Sequence, residues 1–121
     1  MTSEFYMVWY EDLYVGMSIV HKTNKIKWKI RHNAGQVNIY VITFASNTQN
    51  LLDIIPSHEL LQKGYPKDSL CVVGLAKGYD EALEVAVSIV EEVYHNTGTF
   101  AVRKYLTEKA QNGEAECQSY C

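Results

Sequence analysis

The chain is conspicuous first for what it lacks. Its 121 residues contain no internal repeat and no low-complexity block. With 47% hydrophobic and 21% charged residues it sits near the globular average, which argues against disordered, collagen-like and coiled-coil architectures. The opening MTSEFYMVWY has no basic n-region and runs into Glu11 and Asp12, the opposite of a secretory leader. The longest stretch without a charge, Asn33 to Leu52, is rich in Asn, Gln, Ser and Thr and is too polar to cross a bilayer. A net charge of −3 counts against a dedicated nucleic-acid or membrane-surface protein. The expectation is a cytoplasmic protein with no membrane partner. A chain of this length buries roughly two-thirds of its unfolded surface, enough for one core.

Catalytic patterns are also missing. Cysteine is scarce, at three residues. Cys71 lies in the apolar run LCVVGLA, where a small reduced thiol serves as core filling, and no local His or cation would lower its pKa. Cys117 and Cys121 sit in the polar tail QNGEAECQSYC; two ligands do not close a zinc site, and the spacing from the end is wrong for prenylation. His58-Glu59 begins like HExxH, but Gln62 stands where the second zinc ligand belongs. The turn VVGLAKGYDEA places Gly74 and Gly78 before a helix, yet it matches neither a dinucleotide fingerprint nor a P-loop. Asp80 and Glu81 put negative charge where a phosphate would sit, so the glycines read as close packing of strand and helix, with Lys77 a weak alternative. No Gly-x-Ser-x-Gly elbow occurs. His21, His32, His58 and His95 form no ligand set, although His58 and Asp53 could meet in space as an acid–base pair. No catalytic residue, metal ligand or cofactor is therefore assigned.

What is present is periodicity. From Asp80 to His95, polar Glu81, Glu84, Ser88, Glu91 and His95 recur three and four apart. Leu83, Ala86, Val87, Val90 and Tyr94 fill one face, flanked by Ala82, Ile89 and Val93, which gives a long amphipathic helix stopped by Gly98. Ser69 to Ala76 is continuously apolar, as in a strand covered on both faces. Val37 to Ala45 reads as another strand, with Leu51 to Ile55 as its hairpin partner across SNTQN. Ser57 opens a short helix after Pro56, and Thr99 opens a last one, TFAVRKYLTEKA. Asn24 to Gly35 is ambiguous. Ile26, Trp28 and Ile30 alternate like a strand, whereas Ile26, Ile30 and Ala34 share a helical face with an exit at Asn33; helix is preferred.

Charge is segregated. Lys22, Lys25, Lys27, Lys29 and Arg31 lie together without an acid, while residues after 50 carry eleven acids and six basic groups. Such a stripe with Trp28 interleaved can meet phosphates and stack a base; Lys25, Lys27, Trp28, Lys29, Arg31 and His32 are the candidate anion or nucleic-acid contacts. The plainer alternative is a solvated face paired with the acidic helix of the same chain or of a partner. Tyr14-Val15-Gly16 suggests a short strand. The aromatic cluster before it reads either as a first strand covering the core or as an interface, with Phe5, Trp9 and Tyr10 as the candidate contacts.

The segments KIKWKIRHNAGQ, NLLDIIPSHELLQ and VVGLAKGYDEALEVAVSIVEEVY resemble a family of small proteins of low-GC, gut-type Gram-positive bacteria, over roughly residues 12 to 106. No activity attaches to that family, so the resemblance implies only a bacterial cytoplasmic setting. It also favours the helical reading of residues 24–35.

Together these features predict one α+β domain over residues 1–106 and a flexible polar tail over 107–121. A small mixed sheet of three to four strands would be packed by the long helix and shorter ones, with the chain between Ile55 and Ser69 crossing to a parallel neighbour. The expected role is a non-enzymatic interaction or regulatory module that binds itself or another protein. Nucleotide-phosphate or nucleic-acid binding by residues 22–32 is the alternative, and an enzyme built around His58 or Cys71 the weakest reading.

Overall fold

The computed structural model describes residues 8–45, 51–62 and 70–112. Four strands form one mixed sheet: β1 (Val8–Val15), β2 (Ile39–Phe44), β3 (Leu52–Pro56) and β4 (Cys71–Lys77), in the spatial order β1-β4-β2-β3. Helices α1 (Thr23–Arg31), α2 (Tyr79–Thr97) and α3 (Val102–Asn112) cover it, with 3-10 turns at Met17–Lys22 and Ser57–Leu61. The fold is α+β, as the sequence indicated.

β2 and β3 pair antiparallel, Ile42 opposite Ile54, which is the expected hairpin. The crossover after β3 ends elsewhere than expected. It carries β4 past β3 to the far side of β2, where β4 runs antiparallel to β2 and parallel to β1. The aromatic N-terminal region supplies that parallel partner as one eight-residue strand, with an irregularity between Trp9 and Tyr14.

β4 is continuously apolar because both faces of the sheet are covered. Cys71, Val73 and Ala76 join the core beneath α2 and α3, whereas Val72 and Leu75 join Ile26 and Ile30 of α1 on the other side. The pairing of Ile42 with Gly74 and Thr43 with Val72 leaves Val73 as an extra residue, a bulge that changes the alternation. Gly74 then lies under α2: a Cβ there would stand 3.0 Å from the Tyr14 carbonyl oxygen and 3.2 Å from Val85 Cγ1. Close packing therefore explains Gly74. Gly78 has open space around it and φ of +84°, so its role is conformational.

Residues 24–35 are helical where it matters. Ile26 and Ile30 are buried, and Asn33 (φ 56°) ends α1 in a Schellman arrangement, with Ala34 N–H donating to Lys29 O and Asn33 N–H to Ile30 O. Gly98 ends α2 in the same left-handed conformation.

The interior face of α2 is rotated from the expected one. Ala82, Val85, Ala86, Ile89 and Val93 are buried, while Leu83, Val87 and Tyr94 are 45%, 47% and 53% exposed. Apolar residues thus extend well beyond the buried stripe, and a division into one apolar and one polar face does not describe this helix. α3 begins at Val102, later than Thr99 suggests, and leaves Phe100 outside, stacked on Tyr94 with centroids 5.0 Å apart. It also runs past the expected domain end at residue 106: Ala110 is buried and Lys109 pairs with Glu92. The remainder of the predicted tail, with Cys117 and Cys121, lies outside the described residues.

Candidate functional site: a lysine-lined cavity at the ends of the parallel strands

β1 and β4 are adjacent and parallel, yet the chain leaves them toward opposite faces of the sheet. After β1 it turns through Met17–Lys22 into α1 on one face; after β4 it enters α2 on the other. Such a divergence opens a crevice beyond the carboxyl ends of the strands, where open α/β sheets characteristically bind ligands. Here one part of the crevice is closed. Glu81, in the first turn of α2, accepts hydrogen bonds from Lys77 N–H (2.8 Å), Ser18 N–H (3.0 Å) and Ser18 Oγ (2.8 Å). Burial alone would raise its pKa, but these three donors outweigh it and hold the carboxyl below the ordinary range. A Cβ on Gly16 would overlap this carboxylate, which accounts for that glycine. The donors at the ends of β1 and β4 are therefore already taken by an internal carboxylate.

A separate cavity of about 420 Å³ lies on the α1 side, between α1, the segment entering β2 and the end of β4. Lys22, Lys25 and Lys29, at positions i, i+3 and i+7, approach it from one flank, and Lys77 from the end of β4. Ile19, Ile26, Val37 and Ile39 supply its apolar walls. No carboxylate or aromatic ring lines it. Among the described residues, no salt bridge joins these four lysines to an acid. The loop that forms one side is fixed by Asn38 (φ 61°), whose carbonyl accepts from Gly78 N–H at 2.7 Å.

The structure thus divides the candidate anion contacts into three groups. Lys25 and Lys29 reach the cavity, joined by Lys22 and Lys77, which the sequence ranked lower. Lys27 and Arg31 instead lie over the ring of Trp9, 5.2 and 5.8 Å from its centroid. Burial, followed by the neighbouring Arg31 charge, lowers the Lys27 pKa. Trp28 and His32 form an exposed stack with centroids 4.0 Å apart, and His32 Nδ1 donates to the Trp28 carbonyl oxygen at 2.8 Å.

Of the proposed aromatic interface, Tyr10 is corrected. It is 2% exposed, and its hydroxyl donates to Leu106 O at 2.9 Å, so it is a core residue joining β1 to α3. Trp9 is half-buried beneath the cations of α1, and Phe5 lies outside the described residues.

A second polar cluster had no signal in the sequence, because its hydrogen-bonded pairs are 13 to 95 residues apart. Glu92 accepts from the hydroxyls of Tyr14 (2.8 Å) and Tyr105 (2.9 Å) and pairs with Lys109 Nζ (2.8 Å), which also lies 3.1 Å from the Tyr14 oxygen. Burial is the largest influence on each group. It pushes Tyr14 up to about 12 with help from Glu92, while on Glu92 the three donors override it and lower the pKa. The cluster ties β1, α2 and α3 together.

His58 and Cys71 line neither this cavity nor the open groove beside Tyr94, His95 and Phe100. Cys71 is buried, as core filling requires, but its sulfur is in a disulfide rather than a reduced thiol. No helix among the described residues is long and apolar enough to cross a membrane. Comparison with protein families, characterised proteins and solved structures finds no match to this chain.

Proposed function

We propose that the chain is a non-enzymatic interaction module that associates with a second copy of itself, α2 of one copy receiving α1 of the next. The observation that carries this is the exposed apolar strip on α2. Leu83, Val87 and Tyr94 are exposed, with the half-buried Val90 between them, and the four follow one another at steps of four, three and four, the spacing of a helix-docking seam. Glu84 and Glu91 flank this stripe on its solvent side. Pairing two copies of α2 antiparallel would bring these like-charged flanks together. α1 is the complementary surface: it carries Trp28, 55% exposed, among lysines, and it packs on the opposite face of the sheet. A head-to-tail contact of this kind is heterologous and produces a ring or a filament.

Sedimentation velocity over a range of concentrations tests the reading. The wild-type chain should associate, less strongly at high salt, and Val87→Asp or Trp28→Asp should leave a folded monomer. A wild-type monomer at every concentration, or an oligomer indifferent to both changes, would refute it. The second reading, phosphate binding by residues 22–32, is supported by the convergence of Lys25 and Lys29 on one cavity.

A further inference from the structure

The cavity itself points to a ligand class. We infer that it binds an amphiphilic anion, an aliphatic chain carrying a phosphate or carboxylate head; this sharpens the phosphate-binding reading and does not depend on self-association. Three features support it. First, four lysines from two separate parts of the chain line one opening, no carboxylate among the described residues lines it with them, and like charges gathered at one opening favour an anion. Glu81 accepts from Ser18 and the Lys77 amide and feels the Lys77 charge, but it does not line the cavity. Lysine ammoniums are point charges, suited to a phosphate or carboxylate without demanding a planar, two-pronged partner.

Second, the walls are aliphatic. Ile19, Ile26, Val37 and Ile39 offer contact to methylenes. A nucleobase in the cavity has no ring to stack on, since neither Trp28 nor Trp9 lines it. Val37 is 85% exposed, an apolar lip that a bound chain would cover. Third, the cavity is bounded by three separate segments, α1, the chain from Gly35 to Ile39 that enters β2, and Lys77 at the end of β4, so it is a concave site rather than one charged helix face. A volume of about 420 Å³ lies within the range of small-molecule sites and suits a single short chain with its head.

Isothermal titration calorimetry of the full chain with octyl phosphate, inorganic phosphate and the neutral octyl glucoside separates head from tail. Burial of a methylene contributes about fourfold in affinity, so octyl phosphate should bind at least about tenfold more tightly than inorganic phosphate. Octyl glucoside should give little heat. Lys25→Gln and Lys77→Gln should each weaken octyl phosphate several-fold. Lys27→Gln, on the Trp9 side, should not, and neither should Val87→Asp, which tests the other surface.

Equal affinity for inorganic and octyl phosphate would reduce the site to a simple ion contact and overturn the inference. So would lysine variants that bind like the wild type, or no heat at about 5 mM ligand. Vesicles containing phosphatidic acid distinguish a free amphiphile from a lipid surface. Co-sedimentation with them, without binding of octyl phosphate, would reject the enclosed-ligand form.

Discussion

At the scale of single residues, glycine positions show how one sequence signal covers different physical causes. Gly74 and Gly78 both precede α2, and both read as aids to close packing. Only Gly74 has that role, because the bulge at Val73 turns it toward the Tyr14 carbonyl and Val85. Gly74→Ala should therefore destabilise the fold by about 1–3 kcal/mol through overpacking, measured as a lower urea midpoint with an unchanged slope. A variant as stable as the wild type would mean that α2 can move off the sheet freely. Cys71 shows the same limit. Its burial was legible in LCVVGLA, but its disulfide was not, because no local pattern encodes that bond.

At the scale of elements, the sequence was most reliable where burial dominates. β2, β3, β4 and α2 all fall close to their expected ranges because continuous or periodic apolar residues can be satisfied by few local structures. The orientation of α2 was not legible. Ala82, Val85, Leu83 and Val87 are all apolar, and the choice of which to bury was made by contact with the sheet and α3. The cluster around Glu92 was invisible for a related reason: a glutamate on a helix has no individual signature until Tyr14, Tyr105 and Lys109 surround it. Glu92→Gln should cost about 1–2 kcal/mol at neutral pH, a figure reduced for the partial exposure of Lys109. The sign with pH follows from the shifts. The lowered Glu92 pKa gives stability that is present above the ordinary glutamate range and lost as pH falls through the folded value. The raised Tyr14 pKa gives stability present below the ordinary tyrosine value and lost as pH climbs through about 12. The wild-type advantage over Glu92→Gln should thus be largest between these limits and shrink toward both, in urea titrations across pH. A difference that stayed constant down to about pH 3 would deny Glu92 its ionised role.

At the scale of the whole molecule, the basic and acidic halves of the sequence become opposite layers, with α1 on one face of the sheet and α2 on the other. The proposed head-to-tail association would use that layering, and the cavity lysines lie on the α1 side of it. The disulfide is also a property of the whole chain. Cys71 is held in a disulfide, and the sequence has three cysteines. Alkylation of protein denatured without reductant should therefore count fewer than three thiols, rising to three after reduction. Three thiols at the outset would deny the bond. The sequence by itself determined the α+β class, the β2–β3 hairpin, the helix stops at Asn33 and Gly98 and the clustering of positive charge, since each depends on residues within a few positions of one another. Only the tertiary structure decided the partner of β1, the outward face of α2, the core position of Tyr10 and the division of the basic segment between Trp9 and the cavity. Those outcomes depend on contacts between distant residues, whose free energy exists only once the sheet has brought them together.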